Sequence, residues 1–399
     1  LIQEARQTTV DENDRALVRR IKRRVWAAPQ VFVAGCGRGV EDLLAGELAE
    51  LGFDPVLVQP GAVEFQGRFI DLYRVNLESA LAERIWWRIL DCRDRGLKHL
   101  AGRLAELDWD LLLGPGFRLE VAVTGPALDR EARERLQSQV VRSYRDRLGS
   151  PAQGPVQRLL LRRSERRWRL GLDTSGDRLH RRGYRRDSSR APLRETLAAA
   201  VLRLAGYDPA EPLWDPMCGS GTFLIEAARR ARGLAPGGER TFAFMAWSNF
   251  RESTWRHLVR QAQQRVRPDP PAPVVGLDRH PPALRAAAHN AARAGVTLDL
   301  RPEDFFDLEP PGGPAGLAVL NPPYGRRLRI TAQAGRYYGR LGAHLAHCFP
   351  GWRTAVLAPS PALAGALGLA GAETLQLKSG GRNVFVVRGR WPRKTSDSD

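Results

Sequence analysis

In the stretch Trp214-Asp215-Pro216-Met217-Cys218-Gly219-Ser220-Gly221-Thr222, a carboxylate ends a short apolar run and two glycines make a tight turn into residues 223–228, apolar but for Glu226. A strand–turn–helix of this kind aims backbone N–H groups and a helix N-terminus at a bound ligand. Glycine is needed where the backbone must approach that ligand or take positive φ. No Lys-Ser or Lys-Thr pair follows Gly221, so the turn is not a P-loop. Asp215 suits a ligand with an amine or a positive charge better than a polyphosphate. The second anchor is Asn321-Pro322-Pro323-Tyr324, after the apolar run 316–320. That run reads as a buried parallel strand, stopped by the two prolines. Asn321 and Tyr324 then stand at the same carboxyl edge of the sheet as Asp215, the edge where open α/β sheets bind ligands. The Asn321 side-chain oxygen and the Pro322 carbonyl are two acceptors for the two hydrogens of an –NH2 group. Holding both turns the nitrogen lone pair toward an electrophile, and Tyr324 stacks on a planar base.

Together the two signatures resemble the class I, S-adenosylmethionine-dependent methyltransferases that modify a planar or amide nitrogen. S-adenosyl-L-methionine is therefore the expected cofactor. Asp215 faces its amino-acid end, and the turn residues Met217, Cys218, Gly219, Gly221 and Thr222 admit it closely. Asp278 closes a strand expected at 274–277, where a carboxylate commonly accepts hydrogen bonds from a ribose diol. Asp304 follows a strand expected at 298–301 and accepts from the adenine amino group, with Phe305 beside the ring. No strong general base is required, because the proton can leave after the methyl transfers. No catalytic His or Cys is needed.

These residues need a doubly wound sheet to position them. From residue 192 onward strands alternate with helices: a helix at 193–204, the strands already named, helices at 282–294 and 337–349, and a strand at 354–358. Strands at 373–377 and 384–387 close the sheet with an antiparallel edge. The insertion 232–273 is expected to pack over this sheet. Upstream, Gly35-Cys36-Gly37-Arg38-Gly39 also looks like a cofactor loop. The strand after it, 56–58, turns back through Gln59-Pro60-Gly61 into 62–65, a hairpin and not a nucleotide-binding unit. Residues 30–94 read as a small α+β unit. Residues 95–185 repeat that mixed character, and their order of elements resembles the THUMP RNA-binding domain, the first unit resembling its ferredoxin-like companion. Residues 1–29 read as a solvated basic extension with one apolar face, Ala16, Leu17, Ile21 and Val25. The tail 393–399 reads as disordered.

The formal net charge is +18, with lysine only at Lys22, Lys98, Lys378 and Lys394. Such a surplus predicts a polyanionic partner. The cations crowd at Arg162, Arg163, Arg166, Arg167, Arg169, Arg178, Arg181, Arg182, Arg185 and Arg186, with Trp168 and Tyr184 among them to stack on bases. The expected contacts to RNA are Arg162, Arg163, Arg166, Arg167, Arg181, Arg182, Arg185 and Arg186. The cysteines Cys36, Cys92, Cys218 and Cys348 are too far apart in sequence to form metal-ligand pairs. No stretch is apolar enough to span a membrane and no secretory pattern opens the chain, so a cytoplasmic monomer without metal is expected.

Four motifs sharpen the resemblance: Leu179-His180-Arg181-Arg182-Gly183-Tyr184-Arg185, Ala191-Pro192-Leu193-Arg194-Glu195, the Asp215–Thr222 turn, and Asn321-Pro322-Pro323-Tyr324-Gly325. They are similar to those of the bacterial THUMP-containing 23S rRNA guanine-N2 methyltransferases. The resemblance implies an α/β fold: a Rossmann-like class I methyltransferase domain at 186–392, after ferredoxin-like (30–94) and THUMP (95–185) domains. It implies transfer of methyl to guanine N2 in 23S rRNA; some members carry a second, C-terminal methyltransferase module, which this chain is expected to lack. A tRNA guanine-N2 methyltransferase shares this plan. Adenine-N6 DNA methyltransferases and release-factor glutamine methyltransferases share Asn-Pro-Pro-Tyr but lack the basic half. A non-catalytic RNA-binding or ribosome-assembly factor is the reading from another class.

Overall fold

Alternating apolar positions build one seven-stranded sheet from the first half of the chain. Its strands are β1 (Gln30–Gly35), β2 (Pro55–Gln59), β3 (Ala62–Gly67), β4 (Arg84–Arg93), β5 (Arg118–Thr124), β6 (Val156–Ser164) and β7 (Arg167–Asp173), in the spatial order β2-β3-β1-β4-β7-β6-β5. The computed structural model describes residues 12–149, 153–164, 166–186, 193–323 and 331–393. Pairing is antiparallel except between β5 and β6. Period-two alternation buries Phe32, Ala34, Ile85 and Trp87 and leaves Val31, Val33, Trp86 and Arg88 partly covered. The ladder between β4 and β7 runs from Trp86 opposite Asp173 to Arg93 opposite Arg167. It makes one sheet of the two α+β units read separately in the sequence.

The second half forms β8 (Leu213–Asp215), β9 (Val274–Leu277), β10 (Asp299–Arg301), β11 (Leu317–Leu320), β12 (Arg353–Ala358), β13 (Glu373–Ser379) and β14 (Arg382–Arg390). Their order is β10-β9-β8-β11-β12-β14-β13; the first five are parallel, and β14 and β13 add antiparallel. Both faces are covered, so successive residues enter different cores: Leu213 and Leu317 one, Trp214 and Ala318 the other. The doubly wound sheet with an antiparallel edge is the expected one.

Two segments depart from expectation. Residues 12–26 are no solvated extension. The helix Glu12–Ile21 and the turn Lys22–Trp26 bury Ile21 and Val25, and Trp26 packs edge-on against Phe69 and Tyr73. Two of their cations are partnered, Arg20 with Asp108 and Asp110 and Arg24 with Asp108, while Arg15, Arg19, Lys22 and Arg23 are exposed. The insertion does not pack over the sheet it interrupts. It crosses to the N-terminal half, where Phe244 stacks on Tyr73 at 4.5 Å and Trp247 Nε1 donates to Gln157 Oε1 at 2.8 Å. Amphipathic helix Glu252–Gln264 brings Trp255 to the same cluster. This aromatic clasp makes the first core continuous across both halves.

Candidate active site

β8 delivers Asp215 to the carboxyl edge of the sheet, and the chain then turns through Gly219 (φ 55°) and Gly221 (φ 81°). Both lie in the left-handed region that side chains rarely adopt. A Cβ on Gly221 would press on Ala287 at 3.1 Å, whereas one on Gly219 would point into open space. Gly219 therefore serves backbone conformation and leaves room in front of the turn. The turn is fixed by Cys218 N–H donating to the Leu277 carbonyl at 2.8 Å and Gly221 N–H to that of Cys218 at 2.9 Å. Gly221 then caps the helix Thr222–Arg232, whose Thr222 is buried. Gly276 was missed in the sequence: a Cβ there would collide with Leu224, so its absence lets that helix close onto β9.

Asp278 ties the turn to the next strand. Its Oδ2 accepts from Gly219 N–H at 3.0 Å and its Oδ1 from His280 N–H at 2.9 Å. Asp215 is buried, accepting from Met217 N–H at 3.2 Å. Burial pushes its pKa up to about 8; the Asp278 charge adds to the rise and the Met217 amide opposes it. A buried acid thus stands beside an open glycine turn, and only its ionised form could meet a ligand's cation. The Cys218 thiol is pushed far up by burial and then by the same two carboxylates, which makes it inert.

Asp304 caps the 3-10 turn Phe305–Asp307 by accepting from Phe306 N–H at 3.0 Å, and its Oδ2 pairs with Arg279 at 3.3 Å. Phe305 does not stand free beside a ligand ring. It is buried in the second core, edge-on to His344 at 4.7 Å. The neighbouring Phe306 is the half-exposed ring, with the Arg340 guanidinium 4.1 Å above it and Tyr337 edge-on at 5.9 Å. Tyr337 OH reaches Met217 Sδ at 3.6 Å, so a helix read only as scaffold walls the site. The two rings are adjacent in sequence, and only the turn decides which faces in.

Asn321 follows β11 at the same edge. Its Oδ1 is buried and has no hydrogen-bond partner among the described residues. Pro322 is buried beside it. Tyr324 lies outside the described residues. A buried, unpaired amide oxygen costs about 1–3 kcal/mol, so this position is suited to a donor from a ligand.

The basic run divides. Arg182 and Arg185 do not contact RNA as expected, because they are internal struts. Arg182 is 3% exposed. It donates to the carbonyls of Leu179 (2.8 Å) and Ala80 (2.5 Å) and lies 3.6 Å from the Glu226 carboxylate. Arg185 pairs with buried Glu195 at 3.2 Å. Burial pushes the Glu195 carboxyl up to about 7, opposed by Arg185. Trp168 and Tyr184 are buried and stack on no base; Tyr184 OH donates to Glu226 Oε1 at 2.9 Å. Arg163 and Arg167 pair with Asp94 and Asp91. Arg162, Arg166, Arg181 and Arg186 remain exposed. Among the described residues no three His, Cys, Asp or Glu side chains are grouped to hold a metal, and no helix is long and apolar enough to cross a membrane.

A parallel sheet in this order, with a glycine turn after its central strand and acids after the next two, defines a Rossmann-like class I methyltransferase domain. Residues 182–386 match the family model described as "RMKL-like, methyltransferase domain", and residues 31–86 that of the RlmL ferredoxin-like domain. The chain belongs to this RMKL-like methyltransferase family. It is 33% identical over 373 residues to "Putative RNA methyltransferase slr0064" of Synechocystis sp., covering 91% of this chain and 97% of that protein. It is 36% identical over 402 residues to the "Ribosomal RNA large subunit methyltransferase K/L" of Chromohalobacter salexigens, covering 93% of this chain but 54% of that one. The chain thus spans about half the length of the K/L relatives it matches. Among solved structures, SMU.472, "a putative methyltransferase complexed with SAH", superposes with a TM-score of 0.80 at 26% identity, over 92% of this chain and 99% of that one. S-adenosylmethionine is the cofactor, and the open glycine turn with its buried acid fits it.

Proposed function

We propose that this protein transfers one methyl group from S-adenosylmethionine to the exocyclic N2 of a guanine in 23S rRNA, giving N2-methylguanosine. The observation that carries the reading is the buried Asn321 Oδ1 at the carboxyl edge, without a hydrogen-bond partner among the described residues. With the Pro322 carbonyl it accepts both hydrogens of an –NH2 group, which excludes ring nitrogens and uracil. The amine lone pair then faces the methyl donor, and orientation removes much of the barrier. Tyr324 stacks on the guanine and fixes its plane. Asp215 meets the ammonium of the cofactor's amino-acid end, Asp278 its ribose and Asp304 its adenine amino group. The bound cofactor supplies the electrophilic methyl; the displaced proton leaves to solvent afterwards. The rRNA substrate is favoured by the names of the K/L relatives and by the net charge of +18, with residues 95–185 as a THUMP-type RNA-binding unit. A paired or stacked guanine must be extruded at a cost of a few kcal/mol, so naked 23S rRNA is a better substrate than assembled large subunits.

The test is nucleoside mass spectrometry of 23S rRNA and tRNA after incubation with the purified protein and labelled cofactor. Labelled N2-methylguanosine in rRNA supports the reading. Labelled N6-methyladenosine, or label confined to tRNA, overturns the substrate assignment.

A further inference from the structure

The glycine-rich loop at 35–39, which the methyltransferase reading leaves unused, abuts the edge hairpin of the other half. Lys378 N–H donates to the Arg38 carbonyl at 2.8 Å. A Cβ on Gly37 would strike the Lys378 carbonyl, and one on Gly39 would come within 2.5 Å of that of Gln376. The glycines therefore exist for backbone contact between the halves. Beside the contact opens a cleft of about 460 Å³, lined by Arg38, Arg178, Arg194 and Lys378 with Glu83 and Cys36. Among the described residues Glu83 is its one carboxylate, shared by Arg178 and Arg194 at 3.2 Å each. Arg38 and Lys378 are exposed and have no acidic partner among the described residues. Glu41, close by, is occupied by the Gly39 and Gly61 amides at 2.6 and 2.7 Å. Among the described residues, four cations against one carboxylate leave a concave site with a surplus of positive charge.

Its position is informative. Ala358, at the carboxyl end of β12, pairs with Phe385, and β14 extends back from there to Arg382 and the Gly380-Gly381 turn. The hairpin tip thus projects beyond the edge that carries Asn321. Strand spacing and rise put the tip about 20 Å from Asn321, within reach of the same bound polynucleotide.

We propose that this interdomain cleft binds a backbone phosphodiester of the RNA substrate, with Arg38 and Lys378 as its primary phosphate contacts, a few nucleotides from the extruded base. The inference rests on the RNA methyltransferase reading. Gripping the backbone from both halves at once positions the target strand over the site. The Cys36 thiol, raised to about 12 by burial and by Glu41 and Glu83, does no chemistry there.

The experiment compares the full chain with its R38A/K378A variant. RNA affinity is measured by fluorescence anisotropy on a 23S rRNA fragment across salt concentrations, and S-adenosylmethionine affinity by calorimetry. The expected result is RNA binding weakened about tenfold near 100 mM salt and a log–log salt slope shallower by about one unit, with cofactor affinity unchanged. An unchanged RNA affinity and slope overturns the cleft. So does micromolar binding of inorganic phosphate or a nucleoside monophosphate that needs Arg38 and Lys378 while RNA binding does not, which makes the cleft a small-anion site. If the unmodified chain binds no RNA, the substrate reading fails first and the cleft falls with it. Loss of cofactor binding in the variant also overturns the proposal, since the cleft would then support the fold.

Discussion

Replacing Asp215 with Asn tests the role proposed for the buried acid. With its pKa at about 8, Asp215 is mostly protonated at pH 7 in the empty protein. Meeting an ammonium requires the carboxylate, so cofactor binding must expel the proton. That costs about 1.4 kcal/mol per pH unit below 8. A buried carboxylate–ammonium contact contributes about 3 kcal/mol. At pH 6 the deprotonation cost is roughly 2.7 kcal/mol, so wild type and Asp215→Asn should bind the cofactor within about twofold. At pH 7 the difference grows to about 1.6 kcal/mol, or 15-fold, and at pH 7.5 to about 2.3 kcal/mol, or 50-fold. Above that the ligand's own amine begins to titrate, which bounds the window. Calorimetry in buffers of different ionisation enthalpy should count about 0.9 proton released at pH 7 by wild type and none by the variant. The folded pKa is raised, so the protonated acid's contribution to stability is present below 3.8 and lost as pH rises through about 8. The empty variant should therefore hold its stability better than wild type on going from pH 6 to 9. Parallel affinity curves from pH 6 to 7.5, or equal proton counts, would refute the assignment of a neutral acid that meets the cofactor's cation.

Asn321→Ala should lower the single-turnover methylation rate about 100-fold with cofactor affinity within twofold, because the lost contact orients the nucleophile. Comparable losses in both would remove the amine-holding role. Asp278→Ala removes the tether of Gly219, and calorimetry should show cofactor binding weakened by about 2 kcal/mol, roughly 30-fold. Arg182→Ala leaves Glu226 buried beside one cation fewer, and urea unfolding should show a loss of about 3 kcal/mol against less than 0.5 for exposed Arg181→Ala; equal effects would contradict the strut reading. His180 is held down to about 3, chiefly by burial and then by Arg194, Arg185 and Arg178. Its folded value is depressed, so the unfolded chain binds the extra proton and stability is lost as pH falls from 6.5 toward 3. His180→Asn should flatten the urea midpoint between pH 4 and 6.5.

The parallel sheet and the placement of candidate residues along its carboxyl edge were legible because their signals are local. Apolar runs ending in Asp215, Asp278 and Asn321 specify strands whose ends share one edge, and topology does the rest. What stayed illegible depends on contacts between distant segments. The irregular stretch 177–186 has no periodicity to separate an inward arginine from an outward one, so Arg182 and Arg181 look alike until Glu226 and the Ala80 carbonyl claim one of them. The same holds for the loop at 35–39, which is followed by the expected hairpin. The reason for its glycines, an edge strand pressed against them, lies some 340 residues downstream at Gln376 and Lys378. The net charge of +18 is equally uninformative residue by residue. Arg20, Arg88, Arg163, Arg182, Arg185 and Arg203 all face carboxylates inside or between the halves. The field available to a polyanion is what remains after those pairs are removed. It is greatest where cations outnumber acids on a concave surface, and that puts the junction of the two halves, more than the basic run itself, in the path of the RNA.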